Sequence, residues 1–167
     1  MNEDSATDTE RHILTTHDEL LRGVIDVASR AERMITIQTP DLEPGFYDHQ
    51  DFLEVVKRLV LAKKFARIRV LVTDPARAVR SGNAFVQLGR RVNAMVDFRN
   101  LRADYRKDVH NAFIIADDSA ILYRVNGREI DGIMGFGEGA VARQQLKEFE
   151  QPWNDSAFTE EVRLAHT

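Results

Sequence analysis

The chain contains no cysteine. Disulfides and thiolate metal sites are therefore excluded, and a reducing cytoplasm is the expected location. No stretch approaches the roughly 18–20 consecutive apolar residues that a membrane-spanning helix requires. The opening residues, MNEDSATDTE, have neither a basic patch nor an apolar segment, so no secretory signal is expected there. Internal repeats and low-complexity tracts are lacking, as are the zinc-finger, RRM and KH signatures of dedicated nucleic-acid modules.

The 167 residues are 43% hydrophobic and 30% charged, enough for one soluble domain with a real core. The formal net charge of −4 conceals an asymmetry. Residues 1–56 carry 4 basic and 13 acidic side chains, residues 57–107 carry 14 and 3, and residues 108–167 carry 5 and 11. A central segment of net +11 can build a local positive field, or it can supply wet helix faces that pair with the acidic flanks.

Residues 1–11 are polar and charged and read as a disordered tail. Thr16-His17-Asp18-Glu19 has the form of a capping box, and Leu20, Leu21, Val24, Ile25 and Ala28 follow at helical spacing, which predicts a helix over 17–31. Residues 33–38 alternate and read as a strand, followed by a loop at Pro40, Pro44 and Gly45. Asp48 is a candidate cap for a second helix with Phe52, Val55, Val56, Leu59 and Val60 on one face. A strand at 68–72, a helix opened by Ser81 or Asn83 and running to about Val92, and a strand at 95–98 complete an αβαβαβ series. Such a series implies a mostly parallel sheet. Strands at 110–116 and 120–125 then suggest a hairpin through Asp117-Asp118-Ser119. Asn126-Gly127 suggests a second tight turn into a strand at 129–134. Residues 139–153 read as a last helix with Ala142, Leu146, Phe149 and Trp153 along its core stripe, and 156–167 as a polar tail. One domain over 12–155 is expected.

The segment richest in chemistry is Val109-His110-Asn111-Ala112-Phe113-Ile114-Ile115-Ala116-Asp117. His110 and Asp117 stand seven residues apart on an apolar strand. With its element order, this segment resembles a phospholipase D-like half-domain, whose signature is His-x-Lys-x4-Asp. The resemblance covers residues 13–155 and is nearest to small single-motif members. It implies an α/β fold with a mixed, mostly parallel sheet flanked by helices, a C-terminal hairpin and helix, and homodimerisation that brings two histidines to one phosphate. It also implies that His110 is the nucleophile or its vestige.

The departures are specific. Ala112 stands where the family has lysine, and Arg124-Val125-Asn126-Gly127 occupies the window of the family's Gly-Ser-x-Asn. Residues i and i+2 share a strand face, so a lysine at 112 would lie beside His110 and neutralise charge on a phosphoryl oxygen. Loss of one such group costs on the order of 10²–10³ in rate, and two are lost. Arg102, Arg106, Lys107 and Arg124 are the candidates to supply the missing cation and hold a phosphate-containing ligand. Asp117 lies at odd spacing from His110 and reads as a turn residue rather than as a partner of that imidazole.

Asp41, Glu43, Asp48, His49 and Asp51 form an acidic loop after the first strand, where α/β folds line their crevices. Their spacing fits no metal loop, and no metal or cofactor is expected. Gly132, Gly135, Gly137 and Gly139 lack a phosphate-loop lysine and read as turn and cap positions. A catalytically degenerate domain for phosphate binding or assembly is the leading expectation. An active homodimeric phosphodiesterase, of nuclease or phospholipase type, and a salt-sensitive nucleic-acid binder using residues 57–107 are the alternatives.

Overall fold

The computed structural model describes residues 11–76 and 83–158. The expected tail over 1–10, Ser81 as a helix opener, and the cations Arg77 and Arg80 lie outside the described residues.

The described elements run β1 (Arg11–Leu14), α1 (His17–Ser29), β2 (Met34–Thr39), α2 (Gln50–Ala62), β3 (Arg67–Val72), α3 (Ala84–Arg91), β4 (Val96–Asn100), a 3₁₀ turn (Ala103–Tyr105), β5 (Ala112–Ala116), β6 (Ala120–Arg124), β7 (Gly132–Gly135), α4 (Gly139–Asp155) and β8 (Ala157–Phe158). All eight strands form one sheet in the order β1-β7-β6-β5-β2-β3-β4-β8.

The sheet is mixed, but its parallel part is smaller than the αβαβαβ reading implies. Only β2–β3 and β3–β4 pair in parallel, and the other five pairings are antiparallel. The reason is topological. The helical crossovers α2 and α3 link only three strands, the connections β4–β5, β5–β6 and β6–β7 are non-α-helical, and the last helix, α4, leads to β8, which pairs antiparallel with β4.

Strand alternation sorts the core into two layers. Ile35 and Ile37 of β2, Val70 and Val72 of β3 and Ile114 of β5 meet Leu20, Val24, Val27, Phe52, Val56 and Phe85 from α1, α2 and α3. The opposite face places Phe113, Ile115, Leu71 and Ile121 against Ala142, Phe149 and Trp153 of α4. Of the apolar stripe expected on the last helix, Ala142, Phe149 and Trp153 are therefore core, and Leu146 packs partly buried against them. Among the described residues, no helix is long and apolar enough to cross a membrane.

Local chemistry sets the boundaries. Thr16 and Glu19 form the reciprocal capping box at the start of α1. Helix α2 is capped by the His49 ring, which accepts from Asp51 N. Asp48, the expected cap, instead accepts from Gly45 N inside the loop. Asn83 caps α3 through Phe85 N.

Three boundary expectations need correction. Arg11 belongs to β1, whose register against β7 aligns Arg11 with Gly135 and Ile13 with Ile133, so the ordered chain begins before residue 12. The expected polar tail from 156 starts too early, because Ala157 and Phe158 pair with Asn100 and Arg99 of β4. Asn126-Gly127 does not make a two-residue hairpin. The tight I′ turn needs positive φ at both central residues. Neither residue has it, and seven residues, 125–131, join β6 to β7.

Candidate functional site

The carboxyl ends of β2, β3 and β4 and the amino end of β5 lie at the same edge of the sheet, because β5 runs antiparallel to β2 with Gln38 opposite Phe113. Loop 40–49, loop 101–111 and loop 125–131 meet at this edge, the usual position of a ligand crevice in open α/β sheets.

His110 precedes β5 rather than forming part of it. Its ring lies exposed, with Nε2 2.7 Å from the Lys107 carbonyl oxygen, and its own carbonyl accepts from Gly127 N at 2.8 Å. Lys107 thus meets the imidazole through its backbone, not its ammonium. Gln38 Nε2 donates to both the carbonyl and the side-chain oxygen of Asn111 at 2.9 Å, which fixes the strand entrance.

The lysine position is filled and sealed. Ala112 is 1% exposed. A Cβ built on Gly127 would stand 2.8 Å from Pro40 Cγ and 3.1 Å from Ala112 Cβ, so the Gly127 backbone and the Pro40 ring close over the alanine methyl. A long cationic side chain at 112 has no volume there without displacing them.

Arg124 is directly opposite Ala112 in the β5–β6 register, and opposed residues share a face of the sheet. Its guanidinium is therefore the cation closest in position to the absent ammonium. It is 6% exposed and engaged through both terminal nitrogens. Nη1 donates to the Gly127 and Glu129 carbonyls at 3.1 Å, and Nη2 reaches both carboxylate oxygens of Glu43 at 2.5 Å. Glu43 also accepts from the Thr39 hydroxyl at 2.8 Å, and its N–H donates to Asp41 Oδ1 at 3.1 Å.

Burial pushes the Glu43 carboxyl above its ordinary range, and the Arg124 charge pulls it back. Burial beside this pair also holds the Tyr47 phenol neutral, well above its ordinary value. The backbone that delivers Glu43 is unusual. Leu42 has φ +66° and Glu43 φ +31°, two successive non-glycine residues in the left-handed region. Such residues cost on the order of 1–3 kcal/mol each and persist only where neighbours hold them. Leu42 is held by core burial and by Asn83 Nδ2 on its carbonyl.

The other expected site residues are not gathered here. Asp117 stands beyond the far end of β5, roughly 20 Å along the strand from His110. With φ +56° it turns the β5–β6 hairpin, and its carboxylate accepts from the N–H groups of Glu32, Arg33 and Met34, fastening the start of β2. Arg102 makes a two-pronged, exposed bond with Asp104, which raises the arginine's pKa and lowers that of the aspartate. Arg106 is exposed and, like Lys107, sits in the turn before His110. Of the four candidate cations, only Arg124 is built into the sealed cluster.

The acidic loop also resolves into separate duties: Glu43 binds Arg124, Asp41 holds the Glu43 N–H, and Asp48 closes the turn at Gly45. The central cations disperse as well. Arg69 meets Glu150, Arg99 meets Asp97, and Lys57 meets Glu54. The role of Glu43 was not legible in the sequence, since a loop carboxylate and a strand arginine 81 residues apart give no local signal.

Residues 16–164 match the family described as Domain of unknown function (DUF7931). No curated protein sequence matches the chain. Among solved structures, Nuc from Salmonella typhimurium, a phospholipase D family member, aligns at TM-score 0.60 and 14% identity over 90% of this chain and 97% of that one. NucT from Helicobacter pylori aligns at TM-score 0.62 and 11% identity over 90% and 99%. The archaeal chromatin protein TrmBL2, whose structure shows a mode of DNA binding, aligns at TM-score 0.63 and 9% identity over 93% of this chain and 57% of that one. The fold is phospholipase D-like.

Proposed function

The chain belongs to the DUF7931 family and has the phospholipase D-like fold, and from that premise we propose that it is a domain without phosphodiester chemistry, serving in phosphate recognition or assembly. One observation carries this reading: the place of the motif lysine is an alanine methyl sealed under Gly127 and Pro40, and the nearest replacement cation is bound by Glu43. A histidine nucleophile attacking phosphorus needs positive charge on the non-bridging oxygens as they gain charge. Here that charge is already neutralised. Among the described residues, the hydrogen-bond partner of the His110 ring is the Lys107 carbonyl rather than an acid or a cation.

The test is hydrolysis of bis(p-nitrophenyl) phosphate and of a short single-stranded oligonucleotide by the wild type and by His110→Ala. The two proteins are expected to be indistinguishable from each other and from buffer. Turnover lost in His110→Ala sinks the reading.

Pairing with a second copy is the other half of the proposal, and the resemblance to half-domains that complete one site between two chains supports it. Light scattering at micromolar concentration should then give twice the 19.1 kDa chain mass. Nucleic-acid binding is less favoured, because the cations of 57–107 among the described residues are divided between ion pairs and separate elements rather than forming one stripe.

A further inference from the structure

The Arg124–Glu43 pair has the anatomy of an occupied anion site. The guanidinium is oriented by two backbone carbonyls at Nη1 and presents Nη2 to both oxygens of a single planar anion. A charge-assisted contact of this kind is one that arginine makes with carboxylate and phosphate alike. The anion is supplied by the protein itself, from a loop held through two left-handed residues. Ordinary loop closure does not require such a backbone, and observed strain of this kind points to a role for the residue it places. The Thr39 hydroxyl adds a third donor to the same carboxylate.

We propose that Glu43 is a built-in competitor: it occupies the site at which Arg124 and Thr39 would otherwise hold a phosphate group, and its withdrawal exposes a phosphate-binding site. This rests on the non-hydrolytic reading above and adds its regulation. The ligand class is a phosphate monoester or diester, since both present two oxygens to a guanidinium. The Glu43 side chain is the part that withdraws, since Leu42, Phe46 and Tyr47 keep loop 40–49 in the core, while Arg124 is anchored within β6 and by the Gly127 and Glu129 carbonyls.

The experiment uses the full chain with Glu43→Ala and Glu43→Gln, melted at constant ionic strength in chloride, in inorganic phosphate and in dimethyl phosphate. Removing the carboxylate leaves a buried guanidinium without its counter-charge, so an anion that takes its place is read directly as stabilisation. Glu43→Ala is expected to gain roughly 5–10 °C at a hundredfold excess of phosphate over its Kd. The wild type and the Glu43→Ala/Arg124→Met double variant should gain no more than they do in chloride.

A larger response to dimethyl phosphate assigns the site to diesters; a larger response to inorganic phosphate assigns it to free or terminal phosphate. If Glu43→Ala does not fold, Glu43→Gln keeps the shape of the side chain, and line broadening of the phosphorus resonance of inorganic phosphate gives the same answer. No Arg124-dependent response in either variant overturns the competitor role while leaving the non-hydrolytic reading intact. Conversely, His110-dependent hydrolysis appearing in Glu43→Ala overturns the non-hydrolytic reading while the competitor role stands.

Discussion

Ala112 and Arg124 face each other across β5 and β6, and the arginine's charge is held by Glu43 on the same side of the sheet. The position that lost a cation and the position that carries one are therefore neighbours. They are not equivalent, because one is sealed by Pro40 and Gly127 and the other is already bound to an anion.

Restoring the family lysine alone should fail. Ala112→Lys forces three further methylenes and an ammonium into a space closed by Gly127 and Pro40. Overpacking of this kind costs about 1–3 kcal/mol before the charge is counted. The expected result is a lower urea midpoint and no gain in diester hydrolysis. A stable variant with new turnover contradicts the sealed geometry.

The buried pair should show strong coupling. Arg124→Met strands the Glu43 carboxylate and is expected to cost about 3–5 kcal/mol. Adding Glu43→Leu removes the stranded charge, so the double variant should recover most of the loss. A double-mutant cycle from chemical denaturation measures the coupling. Additive effects would mean that the two side chains do not hold each other.

Asp117 is expected to matter for folding rather than chemistry. Asp117→Ala deletes the acceptor for the N–H groups of Glu32, Arg33 and Met34 at a residue of φ +56°. A loss of about 2–4 kcal/mol follows from unpaired backbone donors together with the left-handed backbone. Asp117→Asn keeps one acceptor oxygen and tolerates the backbone, so it should lose less. Equal losses in the two variants, measured by thermal melting, would discount the acceptor role.

Acid sensitivity has a local source in the α1 cap. Backbone hydrogen bonds from Thr15 and then Thr16 hold the Glu19 carboxyl below its ordinary value. A depressed carboxyl contributes stability that is present above its unfolded pKa and fades as the pH falls through the folded one. Wild-type stability should therefore decline on acidification below about pH 4.5, the ordinary value, while Glu19→Gln begins lower and declines less steeply. Parallel curves for the two proteins rule this out.

Much of the α/β series was legible because α1, α2, α3 and the central strands carry both period and cap. Thr16, Asn83 and the β-branched runs of β2 and β3 state their roles locally. Strand β1 gives no strand signal in the sequence, and its first residue, Arg11, reads as tail, because four residues with one buried side chain carry no period. Strand β8 is two residues long and exists only through its pairing with β4. His110 and Ala112 could be placed from the motif spacing, and Asp117 could be doubted from its odd parity. The contact between Glu43 and Arg124 could not be read at all, since it joins a loop to a strand through tertiary geometry alone.

Strands β1 and β8 bound the sheet on its two sides, with six strands between them. Seven inter-strand spacings of about 4.8 Å put Arg11 and Phe158 on the order of 30 Å apart. Fluorophores attached near these two positions would begin from opposite flanks, at a separation well suited to energy transfer, and a change in that transfer would report sheet opening rather than a local fraying of either end.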